Sequence, residues 1–495
     1  MPSSSIRLTW LGRSPFTVPV KRYLGVAVAG LLALGVAAAL LRPSRTPHPT
    51  AAPFVPPLRA GGRVKNVVLV TIDTLRADHL SLYGYPRQTT PHIDAFARAA
   101  MTYENAYATA TFTSPSLVSM LTGLYPASHG VRFLRQSLPP DTWTLPGHLR
   151  GLGWHTGAVV SNWVLKAGAS GLAGEFDEYD DEMTERELKR PDVFERTGER
   201  TTDAALRWLG SRTGTAPFFL WVHYIDPHGP YTPPAPFDEK FAGPPGQRVK
   251  RAKIPWYQRV GKSPQLGHYI DQYDGEIAYV DEQIGRLFRG LHGQNLLGDT
   301  MVVLTSDHGE TLTDRHGGPV RYFHHGHHVW EELARIPLLV YEPSGPVGRS
   351  RDLVSLVDIA PTILESAGVP HPTRRFDGVA LAAHHGEPVF FEAANKRLRA
   401  VRWDRFKLIA NVPTATSKAV RTATVFDLTA DPRERAGNQP SAARHERLLA
   451  ALDTYLAADR QDLEALRSEV RAALARTAAP DGRDVSRLRA LGYVE

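Results

Sequence analysis

The chain has 495 residues, 42% hydrophobic and 22% charged, which allows a sizeable core and excludes global disorder. There is no cysteine, so disulfide frameworks, zinc–cysteine sites, iron–sulfur clusters and thiol nucleophiles are excluded. The net charge of +7 does not signal a nucleic-acid binder: nine of the 58 basic residues fall within residues 1–65, which lack Asp and Glu, leaving 49 basic against 51 acidic groups in the remainder.

Tyr23 to Leu41 is an unbroken apolar run, close to the roughly 20 residues that span a bilayer as a helix. Arg7, Arg13, Lys21 and Arg22 precede it, which favours a cytoplasmic N-terminus. The run predicts a signal anchor with the rest of the chain outside the membrane. A signal peptide cleaved near Ala37 to Ala39 is the alternative, and it would leave the protein secreted. Residues 42–64, with Pro43, Pro47, Pro49, Pro53, Pro56 and Pro57, read as an extended linker. In either case the globular part is expected to be extracytoplasmic, in the periplasm if tethered.

From Asn66 short apolar runs recur: NVVLVTID, HTGAVVSN (155–162), PFFLWVHYID (217–226), TMVVLTSDHG (300–309), IPLLVYEP (336–343) and PVFFEAAN (388–395). Helical patterns lie between them, as in Tyr273 to Leu291 with Ile277, Val280, Ile284 and Leu287. The alternation predicts an α/β fold with a large, mainly parallel central sheet flanked by helices. Residues 235–264 are rich in Pro, Gly and basic groups and read as a surface insertion, either a solvated loop or a lid over an anionic substrate. From Ser441, Leu448, Leu449, Leu452 and Leu456 predict an amphipathic helix.

Several of these runs end in Asp or His: Asp73, Asp226 with His228, and Asp307 with His308. Ligands of open α/β sheets bind beyond the carboxyl ends of strands, so these residues can converge although far apart in sequence. Carboxylate and imidazole together suit divalent cations. Thr113, followed by Pro115 and an apolar helical pattern, falls at a helix N-terminus, which favours anions.

The ordered blocks NVVLVTIDTLRADHLSLYGY, TPHIDAFARAAMTYENAYA, TSPSLVSMLTGLYPASHGV, HYIDPHGPY, TSDHGE, EELARIPLLVYEP, SLVDIAPTILESAGV and FDLTADPRE resemble the sulfatase family of the alkaline phosphatase superfamily, over about Asn66 to Asn438. The resemblance implies an alkaline-phosphatase-like sandwich with a smaller C-terminal subdomain. It divides the chain into a basic N-terminus (1–22), the anchor (23–41), the linker (42–64), a catalytic domain (65–385), the subdomain (386–440) and a helical tail (441–495). It further implies a divalent metal (Mn, Zn, Ca or Mg) held by Asp73, Thr113, Asp307 and His308, and catalytic roles for Thr113, His228 and His325. His228, His316, His325 and His327 are the implied contacts to the substrate anion. The expected partner is an anionic ester, phosphate or sulfate, with a glycan or a lipid headgroup as its carrier.

Two departures from the family pattern matter. Thr74 stands where a second Asp is often found. The usual formylglycine motif, Cys or Ser followed by x-Pro-x-Arg, is replaced by Thr113-Ser114-Pro115-Ser116-Leu117. Threonine cannot give that aldehyde, since its β-carbon carries a methyl group, and the supporting Arg is absent. The resemblance therefore leads to Thr113 as a nucleophile on phosphate mono- or diesters, by hydrolysis or transfer. Sulfate ester hydrolysis without formylglycine and an inactive anion- or glycan-binding relative are the alternatives.

Overall fold

The computed structural model describes residues 52–57 and 62–456, apart from 135, 188–189, 191–192, 247, 260–264, 313–321, 373–375, 385, 394–396, 412–421 and 436–445. The predicted anchor, Tyr23 to Leu41, and His316 lie outside the described residues. Among the described residues no helix is long and apolar enough to cross a membrane.

Eight strands form the central sheet: β1 (Asn66–Ile72), β2 (Met101–Tyr107), β3 (His155–Val160), β4 (Glu178–Asp180), β7 (Phe218–Tyr224), β8 (Thr300–Ser306), β9 (Arg335–Tyr341) and β10 (Gly348–Ser355). A two-stranded ribbon, β5 (Glu185–Arg186) and β6 (Phe194–Glu195), lies outside it. The order across the sheet is β10-β2-β9-β8-β1-β7-β3-β4. All neighbours run parallel except at β9, which is antiparallel to both β2 and β8. The sheet is thus mainly parallel, as the alternation of strands and helices requires, with one reversed strand that apolar composition alone does not reveal.

Every residue of β1, β7 and β8 is buried. Side chains alternate between faces. Val67, Leu69, Phe219, Trp221, Met301 and Val303 enter one core, and Val68, Val70, Leu220, Val222, Val302 and Leu304 enter the other. Each fully buried side chain of this size stabilises the fold by ~1.5–3 kcal/mol before ordering entropy is counted. The long helix Leu266–Gly293 buries Ile277, Val280, Ile284 and Leu287 in the second core, extending the helix read from the sequence at its N-terminal end.

The run at 388–395 forms a strand, but in a separate antiparallel sheet: β11 (Val389–Ala393), β12 (Leu398–Trp403), β13 (Phe406–Asn411) and β14 (Thr422–Asp427). The helix over 446–456 lies on this sheet, with Leu448, Leu452, Tyr455 and Leu456 packed on Val401, Leu408 and Ala410. The sheet also reaches the loop before the helix Thr113–Thr122: the Thr111 N–H donates to the Glu392 carbonyl and the Glu392 N–H to the Thr109 carbonyl, both at 3.1 Å. The described part of 235–264 is not a fully solvated loop, since Val249, Ile254, Tyr257 and Gln258 are buried.

Candidate active site

The register of the central strands assembles the site. Ile72 of β1 pairs with Ser306 of β8, so the residues that follow, Asp73 and Asp307, leave the sheet side by side. Thr113 is the first residue of a helix whose ten residues are all buried, and Gly123 (φ 67°) ends it in the left-handed conformation. The structure brings Thr113 to His308, with Oγ1 and Nε2 3.3 Å apart.

Asp73, Asp307 and His308 are fully buried and offer ligand atoms within 4.8 Å of one another. Each carboxylate is half satisfied. Asp73 Oδ2 accepts from Asn162 Nδ2 at 2.6 Å, and Oδ1 has no hydrogen-bond partner among the described residues. Asp307 Oδ1 accepts from the backbone N–H groups of Thr74 (3.2 Å) and His308 (2.8 Å), and Oδ2 likewise has none. His308 Nδ1 lies 2.9 Å from the Gly309 carbonyl, which only an N–H can satisfy, so Nε2 presents a lone pair. That lone pair is 3.5 Å from Asp307 Oδ2 and 3.9 Å from Asp73 Oδ1. Buried polar atoms are rarely left without partners. Two bare carboxylate oxygens and an imidazole nitrogen around one point fit a divalent cation, with Thr113 Oγ1 as a fourth donor. The hydrogen bonds from Asn162 to Asp73 and from His308 to the Gly309 carbonyl fix the direction of these two side chains, as ligand partners do in metal sites.

The electrostatics agree with that fit. Burial pushes the Asp307 carboxyl up, and the facing Asp73 carboxylate adds to it, to about 6. Burial also opposes ionisation of Asp73, but His223, whose Nε2 lies 3.6 Å from Oδ2, together with the facing His228 and His308, outweighs it and holds its carboxyl low. Burial lowers the basicity of His308 less than Asp307 and Asp73 raise it. Two carboxylates that resist joint ionisation are a pair that a cation relieves.

His228 and His325 close one side. The His325 ring is 4.5 Å from that of His308 and 5.2 Å from that of His228. Burial drives His228 down to about 4 against the pull of Asp73, with help from His325 and Arg190. Burial likewise carries His325 well below its usual value, and His308 and Arg190 push the same way. Both are therefore neutral hydrogen-bonding groups near pH 7. Glu310, pushed up to about 7 by burial, has Oε2 3.5 Å from His325 Nδ1. His327 stacks on His324 at 5.5 Å and meets Trp330 edge-on.

Asn162, His223 and Glu310 join the site without having been singled out from sequence. Asn162 follows an apolar strand run, as Asp73 does, and the same rule could have found it. His223 interrupts the run FFLWVHY; its Nδ1 is 2.8 Å from Thr71 Oγ1 and its Nε2 3.6 Å from Asp73 Oδ2. Asp226 is not among the residues grouped with Asp73 and Asp307, and the carboxylate it acts on is Glu276; the Asp73, Asp307 and His308 group is single among the described residues.

A buried cation-type cluster at the carboxyl edge of a parallel sheet, with a hydroxyl at a helix N-terminus, defines a metal-dependent hydrolase of the alkaline-phosphatase-like class. The Sulfatase family profile matches residues 65–369, and the chain belongs to the sulfatase family, whose enzymes use a divalent metal. The multifunctional alkaline phosphatase superfamily protein PehA of Trinickia caryophylli is 26% identical over 407 residues, covering 64% of this chain and 76% of that one. An arylsulfatase of Clostridium perfringens is 24% identical over 372 residues, covering 62% and 76%. The crystal structure of the phosphonate monoester hydrolase of Agrobacterium radiobacter superposes with a TM-score of 0.62 at 21% identity, covering 80% of this chain and 96% of that one; at this identity the likeness establishes the fold.

Proposed function

We propose that this sulfatase-family hydrolase acts on phosphate mono- or diesters, with the Thr113 hydroxyl as nucleophile. The observation that carries the reading is the 3.3 Å approach of Thr113 Oγ1 to His308 Nε2, beside the two bare carboxylate oxygens. Asp73, Asp307 and His308, with Thr113 Oγ1 beside them, would hold a divalent cation. This mixed nitrogen and oxygen set suits zinc or manganese, whereas calcium takes 6–8 oxygens, roughly, and magnesium keeps several waters. A cation held there would lower the pKa of the Thr113 hydroxyl and offset charge developing on the ester oxygens.

Thr113 Oγ1 attacks phosphorus in line, and the bond to the leaving oxygen breaks. The N–H groups at the start of its helix favour the negative charge. His228 and His325, both neutral, hydrogen-bond the anion. The proton of the Thr113 hydroxyl passes to solvent as the alkoxide forms. Glu310, which keeps a proton up to about pH 7, supplies the leaving oxygen with one relayed through neutral His325, and the same pair takes a proton back from the water or alcohol that next attacks phosphorus. That second attack releases Thr113, by hydrolysis or by transfer.

Position 117 supports a route without formylglycine. Leu117 is fully buried in an apolar core, so this position supplies no guanidinium to the nucleophile. Sulfate ester hydrolysis is the second reading, favoured by the arylsulfatase relative. A threonine sulfate lacks the easy exit of an aldehyde hydrate and would persist, which is why phosphorus is preferred. The assembled donor set argues against an inactive binding relative.

The substrate is an anionic ester, on a glycan or lipid headgroup, met outside the cytoplasm by a chain tethered through residues 23–41. The test is turnover of aryl sulfate, phosphate monoester, phosphodiester and phosphonate monoester, with intact-mass analysis after exposure. A phosphoryl adduct on Thr113 is expected. A sulfuryl adduct reverses the preference, and an adduct on another residue rejects Thr113.

A further inference from the structure

The residue after Asp73 has an unusual backbone. Thr74 sits at φ 56°, in the left-handed region, although it is β-branched and fully buried. Such residues rarely adopt this conformation unless their surroundings impose it. Here the peptide groups on both sides are fixed. The Thr74 N–H donates to Asp307 Oδ1 at 3.2 Å, and the Leu75 N–H donates to Ser306 Oγ at 3.1 Å.

A single hydroxyl spans the turn. Tyr273 OH donates to the Thr74 carbonyl at 2.7 Å and accepts from the Arg76 N–H at 3.1 Å. Tyr273 is fully buried on the long helix Leu266–Gly293, far from Thr74 in sequence. Its ring is seated edge-on to His79 and Tyr231, each at 5.3 Å between centroids, so the hydroxyl has a fixed origin.

We propose that Tyr273 is a positioning residue for the metal site, holding Thr74 in its left-handed conformation so that the Thr74 N–H occupies Asp307 Oδ1 and leaves Oδ2 facing Asp73 and His308. The inference rests on the cation site proposed above and adds a device that sequence motifs do not contain. Without the clamp, Thr74 relaxes toward an ordinary backbone conformation. Its N–H then leaves Asp307, the carboxylate is free to rotate, and the preorganised donor set loosens.

The experiment is a titration of the metal-free full-length protein with Mn2+ or Zn2+, followed by calorimetry, for the wild type, Tyr273→Phe and Tyr273→Phe/Thr74→Gly. Phenylalanine keeps the ring packing and removes only the hydroxyl. Outer-shell changes weaken metal binding by about 10–100-fold, and that loss is expected for Tyr273→Phe. At metal concentrations that saturate the variant, its kcat recovers and KM for the ester is unchanged. Glycine adopts the left-handed conformation at no steric cost. The double variant is therefore expected to regain most of the lost affinity, which a merely structural tyrosine would not allow.

Wild-type affinity in Tyr273→Phe overturns the clamp, even with a lowered unfolding temperature. So does a loss that Thr74→Gly does not repair. If Tyr273→Phe alone does not fold, the double variant decides, and affinity more than tenfold below wild type rejects the proposal. A wild-type protein that binds neither metal overturns the cation site itself and the clamp with it. A metal-binding wild type with an unaltered Tyr273→Phe removes the clamp alone.

Discussion

Two of the buried charge clusters among the described residues are built to opposite ends. Beneath the small sheet, Lys407 is fully buried and its Nζ lies 3.0 Å from Glu331 Oε1 and 2.7 Å from Glu434 Oε1. Tyr107 OH donates to Glu331 Oε2 at 2.7 Å, and Arg402 approaches the same oxygen at 3.5 Å. Anions there meet cations of the chain itself. At the carboxyl edge of the central sheet, Asp73 and Asp307 face each other with one bare oxygen apiece and no Lys or Arg in an ion pair with either among the described residues. The first cluster is closed and serves the fold. The second is left open, at a cost in stability, with a donor set that fits an external cation.

The sharpest way to break this contrast is at the nucleophile. Thr113→Ala is expected to lower turnover by on the order of 10⁴-fold or more, with metal still held by Asp73, Asp307 and His308 at reduced affinity and the unfolding temperature near wild type. Turnover near wild type on the ester panel would remove Thr113 from the mechanism. Next in size, Asp307→Ala should empty the open cluster: elemental analysis of the purified protein should show the metal lost. Retained metal would show that the open cluster is not the cation site.

The mirror experiment strikes the closed cluster. Lys407→Met leaves Glu331 and Glu434 buried without their ammonium, and a loss of ~3–5 kcal/mol in stability is expected. Denaturant unfolding measures it, and metal stoichiometry should not change. If metal is lost as well, the two clusters are coupled and the contrast fails.

The smallest effect concerns pH. Glu195 is pushed up to about 8 by burial and by the neighbouring Glu187 and Asp226. Its folded-state value exceeds the unfolded one, so the folded protein holds the extra proton. The stability linked to it is full below about 4.5 and is lost as pH rises through about 8. Unfolding temperature of the metal-free protein should fall over that window, and Glu195→Gln should flatten part of the fall. A profile identical to wild type would exclude Glu195 as a source.

Much of this was legible in the chain because the information is local. Apolar runs with polar ends marked β1, β7 and β8 and, with them, Asp73 and Asp307. Edge strand β10 escaped notice because three of the eight residues in its sequence, GRSRDLVS, are charged and five are not buried; such strands resist edge-to-edge pairing. The helix from Thr113 followed from Pro115 and the apolar spacing. The His-rich segment gave no register, because consecutive histidines carry no period.

The sequence by itself determined which side chains could serve as ligands and nucleophile, since those depend on residue type, strand ends and helix starts. Tertiary structure alone decided the reversal of β9, the pairing of β11 with three antiparallel neighbours in the second sheet, and the register that sets the His325 ring against His308 and His228. It also decided that one hydroxyl from a distant helix meets the turn at Thr74. These are contacts between segments distant in sequence, fixed by sheet register and packing, and no spacing along the chain encodes them.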